Sequence, residues 1–407
     1  MKLNKFLKYK KALVLGTGGG NDIVSATLIA DYLSNCGIEC DVAGILSPGA
    51  IHTFDGKNEN VINEIRGDVR RYINSKEKKE ISFIDSMLPN LTKDLGYKVG
   101  NFYDFSTKFG TSKLEEEICN LVTRNNYDFF LEVDVGGDIL ARKKDKTLLS
   151  PLMDFTSLYL LDKIPIDSYL VEFGLGSDGE LRPDAMNEIL KELEEKNILI
   201  DEDILDKEDC EIIKFRELFK RISNVRKGHT GTILLKTLED KNGKDLNLKY
   251  RSSWKINKKK WFNEFEIVIP QNTFGKVYFF DGKRLVKERG DTAIKYGNSL
   301  EQFIKVKSVP EWKTELDLCY LDNPSGIYCL TPSLNVPEQM REEIIVEGLL
   351  ELDNGNADKI IILRKDKKLI GGNYVIHDSR NYSLISNSKF GNASLINKIR
   401  KYENGKS

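Results

Sequence analysis

Apolar runs that end in glycine recur along the first 275 residues, and between them apolar positions fall three and four apart. Residues 11–15 form the first such run, predict a strand, and lead into a glycine loop at 16–20. Ile23, Ala26, Ala30 and Leu33 then follow at helical spacing, with Asn21 or Asp22 placed to cap the first turn. A second strand is predicted over residues 40–46. Strand, loop, helix and strand in this order open a mostly parallel α/β sheet. From Gly56 to about Arg124 the chain is more polar, carries a charge run at 76–80, and reads as a helical insertion (about 56–125) between strands of that sheet.

The pattern sharpens again at residues 128–135, a strand that runs into Gly136-Gly137-Asp138. Ser150-Pro151 supplies an N-cap and a proline at the first helical position, and Met153, Ser157, Leu158 and Leu161 continue that helix. Residues 168–173 predict a strand ending in the loop 174–180, and helices are expected at about 184–196 and 210–222. Residues 230–235 and 261–270 read as further strands, closing a domain over 1–275. Beyond it, residues 276–280 and 284–286 flank Asp281-Gly282 and predict a hairpin. A helix carrying Met340, Ile344, Ile345 and Leu349 and a strand at 359–363 complete a smaller α+β domain over 276–407. The expected fold is α/β: a Rossmann-like, mostly parallel sheet with helices on both faces, plus this smaller C-terminal domain.

Composition narrows the partners. The 407 residues carry 62 Lys+Arg against 63 Asp+Glu, a formal net charge of -1, so no chain-wide positive surface exists to attract nucleic acid or an anionic membrane. The basic stretch at residues 255–260, between Trp254 and Trp261, reads as the charged face of a hairpin, which makes nucleic acid an unlikely partner. No segment approaches about 18 uninterrupted apolar residues, and the N-terminal apolar run is too short for a signal-peptide core. Six cysteines without a Cys-x-x-Cys pair, and three histidines, argue against a disulfide scaffold or zinc knuckle and for a reducing cytoplasm. His229, in a basic turn bracketed by Gly228 and Gly231, reads as a loop residue. Self-association is left open.

The candidate chemistry lies in three loops that combine glycines with acids: residues 16–22, 134–138 and 174–180. Strands of a parallel sheet all end on one side, so the loops that follow them gather along one edge, where open α/β folds place their ligands. Main-chain amides of Gly18, Gly19, Gly20 and Asn21, at the start of a helix, suit a phosphate or carboxylate. Asp22, Asp134, Asp138, Asp178 and Glu180 suit a divalent cation such as magnesium, or sugar hydroxyls. Asp134 and Asp138 are the expected metal ligands, and Asp138 or Glu180 the expected general base. Gly136, Gly137, Gly176 and Asp178 complete the expected ligand rim. No Gly-Lys-Ser/Thr follows the first loop, and Asn21 stands where a dinucleotide fingerprint has its third glycine, which argues against a P-loop and a nicotinamide dehydrogenase. Asp154, in the first turn of its helix, is explained as well by the helix dipole as by a role in the site. The expected function is that of a hydrolase or group transferase for a nucleotide or phosphorylated metabolite; the alternative is a nucleotide-sensing or partner-binding module without turnover.

Four ordered motifs, at residues 18–22, 134–138, 150–154 and 174–180, make the sequence resemble the family called domain of unknown function 1152, found mostly in archaea. The resemblance covers about residues 10–275 and implies no particular reaction. Residues 47–56 depart from the more basic stretch expected there in the family, and the C-terminal residues fall outside it.

Overall fold

The computed structural model describes residues 4–17, 22–46, 62–65, 71–74, 79–82, 84–106, 111–142, 145, 151–223, 229–239, 244–256 and 259–290, and short strand segments beyond 313. Its centre is one eight-stranded sheet built from β1 (Lys11–Gly16), β2 (Glu39–Leu46), β3 (Ile62–Ile65), β6 (Phe102–Ser106), β7 (Phe129–Val135), β8 (Asp167–Phe173), β9 (Leu199–Ile204) and β12 (Lys276–Asp281). The spatial order is β3-β6-β2-β1-β7-β8-β12-β9. β6, β2, β1, β7 and β8 are parallel; β3 is antiparallel at one edge, and β12 runs antiparallel between β8 and β9. β7 is buried along its whole length, as expected of a strand covered on both faces.

From β1 the chain moves outward to β2 and β6, then returns across the sheet to β7 on the other side of β1. The order therefore reverses between β1 and β7, and the carboxyl ends of the strands at such a switch point are where open α/β sheets place their ligands.

Helices cover both faces of the sheet. On one face α1 (Asp22–Asn35), α2 (Ile84–Asp94), α6 (Cys210–Ser223) and α7 (His229–Glu239) share a core with the strands: Val24 and Leu28 meet the side of the sheet formed by Val14, Leu131 and Val133, and Phe215 and Leu234 extend it. Helical spacing marks Ile23, Ala26, Ala30 and Leu33 as the apolar positions of α1, yet every residue from Asp22 to Leu33 is buried, because α2 and α6 close over its outer side. Its start sits directly on the end of β1. A Cβ on Gly16 would lie 2.2 Å from the backbone nitrogen of Ile23, so only glycine permits this approach. The opposite face carries α4 (Pro151–Leu161), which packs on β7. α3 (Thr111–Arg124) and α5 (Pro183–Glu195) complete the helices of this region.

Several expectations are corrected. The segment 56–125 is more than a helical insertion: besides α2 and α3 it contributes β3 and the parallel strand β6, with a hairpin of β4 (Arg71–Asn74) and β5 (Lys79–Ser82). β6 is five residues long and flanked by polar sequence, so its burial of Phe102, Tyr103 and Phe105 left little periodic signal. Residues 230–235 are helical in α7 rather than a strand; their β-branched content favours strand, but burial of Ile233, Leu234 and Thr237 at helical spacing wins. The strand expected at 261–270 is β11 (Lys259–Ile269), which pairs with β10 (Leu246–Ile256) in a separate hairpin where Trp254 faces Trp261 in register. The hairpin expected around Asp281-Gly282 is absent. β12 enters the large sheet instead, burying Val277, Phe279 and Phe280, and residues 282–290 continue as helix α8. A boundary at 275 therefore falls inside this sheet.

Farther along, Tyr374–Ser379 and Tyr382–Asn387 pair antiparallel, and short strands occupy Ile360–Ile361 and Leu363–Arg364. The helix expected around Met340 lies outside the described residues. Among the described residues no helix is long and apolar enough to cross a membrane.

Candidate functional site

Alternation along β7 turns Glu132 and Asp134 to the face opposite the core residues Leu131 and Val133. The parallel register sets Asp134 beside Glu172 of β8. Thr17, the residue after β1, donates its main-chain N–H to the Val133 carbonyl (3.1 Å) and its hydroxyl to Asp134 Oδ1 (3.1 Å). Gly137 N–H donates to Asp134 Oδ2 (3.2 Å). Asp134 is thus fixed from both sides of the switch point.

Two helices begin beside it. Asp22 is the first residue of α1 and Asp154 lies in the first turn of α4, which sits on the other face of the sheet. Asp22, Asp134 and Asp154 each offer a carboxylate oxygen, these atoms lie within 4.8 Å of one another, and all three residues are buried. Three carboxylates this close repel one another unless protons or a cation neutralise them. Hard oxygen donors at this spacing fit a small divalent cation such as magnesium.

A second group of acids adjoins the three. Asp138 opens the 3-10 turn Asp138–Leu140 that follows β7. Asp178 and Glu180 stand on the loop after β8, which is tied to the β7 loop by Gly176 N–H donating to the Gly136 carbonyl (2.7 Å). Glu180 N–H donates to Asp178 Oδ1 (2.8 Å), and Gly136 N–H to Glu172 Oε1 (3.1 Å). Gly136 has φ 134°, and a Cβ there would meet Asp178 Oδ2 at 2.3 Å, so glycine is required for both reasons. Asp178 Oδ2, Glu172 Oε2 and both oxygens of Glu132 have no hydrogen-bond partner among the described residues.

Burial sets the proton affinities of this group. It raises Asp138 well above the ordinary carboxyl range, and the charges of Asp154, Asp134, Glu180 and Asp178 add to the effect. Asp178 rises through burial and Glu180, against the opposing Glu180 N–H. Glu172 rises through burial and then the charge of Asp134. Burial pushes Glu132 up to about 8; the Ser157 hydroxyl, close by but outside hydrogen-bond geometry, opposes the rise and Asp134 adds to it. Burial and mutual charge thus favour the protonated forms of Asp138, Asp178, Glu172 and Glu132, an effect that a neighbouring cation would oppose.

The structure gathers most of the expected site residues at one edge of the sheet. Asp22 and Asp134 offer carboxylate oxygens within 4.8 Å of each other, Asp138 is near enough to Asp134 and Asp154 for their charges to act on it, and Gly136, Gly137, Gly176, Asp178 and Glu180 form the neighbouring loops. Among the described residues the three-carboxylate group contains Asp154, and not Asp138, the expected second ligand. Gly18, Gly19, Gly20 and Asn21 lie outside the described residues, as does the side chain of His229. Thr17, Glu132 and Glu172 went unremarked in the sequence. For the two glutamates a signal was present: each interrupts an otherwise apolar buried strand, FFLEVDV and SYLVEF.

Fold and site together define an α/β protein with a buried carboxylate cluster at the switch point of a mostly parallel sheet. The family described as "Protein of unknown function (DUF1152)" matches residues 13–243, more than half of the chain, and the chain belongs to that family. The matched span contains every carboxylate of the centre. No curated protein and no solved structure matches the chain.

Proposed function

We propose that this protein is a divalent-cation-dependent hydrolase or group transferase acting on a nucleotide or phosphorylated metabolite in the cytoplasm. The observation that carries the reading is the convergence of Asp22, Asp134 and Asp154 within 4.8 Å at the switch point. These three would hold the cation, with Asp134 oriented by Thr17 and Gly137. A magnesium ion there supplies charge stabilisation to a phosphoryl oxygen. α1 starts at Asp22 beside the same centre, and main-chain N–H groups at a helix start favour an anion. Asp138 and Glu180 are the groups suited to take a proton from an attacking water or hydroxyl; burial and neighbouring carboxylates raise the proton affinity of Asp138, the direction that general-base work at neutral pH requires. Cys36, Cys40, Cys119 and Cys210 are all free thiols, in keeping with a reducing compartment.

The test is a thermal-shift titration of the full chain with Mg2+, alone and with nucleotides or sugar phosphates, followed by product analysis on every stabilising compound. Mg2+ should raise the Tm, a phosphorylated ligand should raise it further, and product should accumulate. Asp134→Asn and Asp154→Asn should each abolish the Mg2+ shift. Stabilisation without product would instead support a nucleotide-sensing module. A Tm indifferent to Mg2+ at millimolar concentration would refute the cation site.

A further inference from the structure

The segment beyond the family match touches the turn that carries Asp138. β12 lies in the sheet beside β8, and α8 continues from it to residue 290. Near the end of α8, Arg289 is only 5% exposed. Its Nε donates to the Leu140 carbonyl (2.9 Å), and its Nη1 to Glu192 Oε1 of α5 (3.2 Å). Leu140 ends the 3-10 turn that Asp138 begins, and the turn is closed by Leu140 N–H on the Gly137 carbonyl and Ala141 N–H on the Asp138 carbonyl (both 3.0 Å).

A single turn of 3-10 helix leaves its last carbonyls without helical partners, and a buried carbonyl needs a donor. Arg289 supplies it. Just beyond, Arg142 pairs with Asp145 and Glu188 (both 3.1 Å) and approaches Glu192 at 3.7 Å. α5 therefore anchors two arginines that hold the exit of the turn. The entrance of the turn is Gly137, with φ 101°, whose N–H is on Asp134. Asp138 is set between these two fixed ends.

We infer that Arg289 is a positioning residue for the carboxylate centre: through the Leu140 carbonyl it fixes the turn that places Asp138 against Asp154. This rests on the reading of the centre as a cation site. It also gives residues past the matched span a part in the site.

The test uses the full chain with Arg289→Met and Arg289→Lys, and Arg289→Gln as the milder change if the Met variant does not fold. Two quantities are read: amide hydrogen exchange across residues 137–141 without metal, and the Mg2+ concentration giving half of the maximal thermal shift. Loss of the donor should speed exchange of the Leu140 and Ala141 amides about tenfold while β7 amides stay protected, and should raise the Mg2+ half-point at least about threefold. Arg289→Lys, whose ammonium can still donate to the Leu140 carbonyl, should restore both. In an Asp138→Asn background Arg289→Met should leave the Mg2+ half-point unchanged. Unaltered exchange at 140 and 141, or a Mg2+ effect that persists in full without the Asp138 carboxylate, would overturn the inference. If Mg2+ fails to shift even the unmodified chain, the cation reading falls, and the exchange measurement still decides whether Arg289 holds the turn.

Discussion

Glu132→Gln measures the electrostatics of the buried carboxylate cluster through a single side chain. Glu132 is fully buried in the middle of β7, and neither oxygen has a hydrogen-bond partner among the described residues. Burial pushes its carboxyl from the ordinary 4.5 up to about 8, opposed by the Ser157 hydroxyl and reinforced by Asp134. At about 1.4 kcal/mol per pH unit, that rise is on the order of 5 kcal/mol. The folded chain keeps a proton that the unfolded chain has already released, so folded molecules bind more protons between pH 4.5 and about 8. Stability therefore falls as pH rises through this window. Glutamine resembles the protonated acid in shape and cannot ionise, so the substitution removes the loss. Urea unfolding of both chains in EDTA, at unit steps from about pH 5 to about pH 9, should show a small difference at the acid end. The difference should grow to on the order of 5 kcal/mol in favour of Glu132→Gln above about pH 8. A difference that stays flat across the window would refute the description of Glu132 as a buried, protonated acid.

Four further outcomes follow from the same geometry. Because Asp138, Asp178 and Glu172 hold protons tightly, Mg2+ binding should release protons and strengthen as pH rises, which calorimetry in buffers of different ionisation enthalpy can count. Gly136→Ala, at φ 134° and 2.3 Å from Asp178 Oδ2, should destabilise the chain by about 1–3 kcal/mol and weaken Mg2+ binding, as read by urea unfolding and thermal shift. Leu28→Ala, at a fully buried position of α1, should cost about 2–5 kcal/mol in urea unfolding through the cavity it leaves and leave the Mg2+ half-point unchanged. Thr17→Val removes the hydroxyl donor to Asp134 Oδ1 and should raise the Mg2+ half-point several-fold with a smaller loss of stability.

What was legible in the sequence was local. An apolar run that stops at glycine, or at glycine and an acid, marks a strand end within a few residues. The ends of β1, β7 and β8 and their acids Asp22, Asp134, Asp138, Asp178 and Glu180 could be read for that reason. Periodicity also showed α1, α5 and α6, because each presents apolar positions at helical spacing.

Other features depended on partners distant in the chain. Asp154 follows Asp22 by more than a hundred residues, and its place in a first turn is explained equally well by the helix dipole; only the reversal of strand order between β1 and β7 brings the two together. Residues 230–235 have strand-like composition and become helix because α7 packs on α6. The run 276–280 has the same local pattern whether it turns back on residues 284–286 or inserts between β8 and β9, and the open hydrogen-bonding edges of those two strands decided the outcome. By itself the sequence determined which segments are apolar and on which side, since that is a property of neighbouring residues. Only the tertiary structure decided what each apolar face is buried against, and hence which carboxylates converge, because strand order and helix docking are set by contacts between residues far apart in the chain.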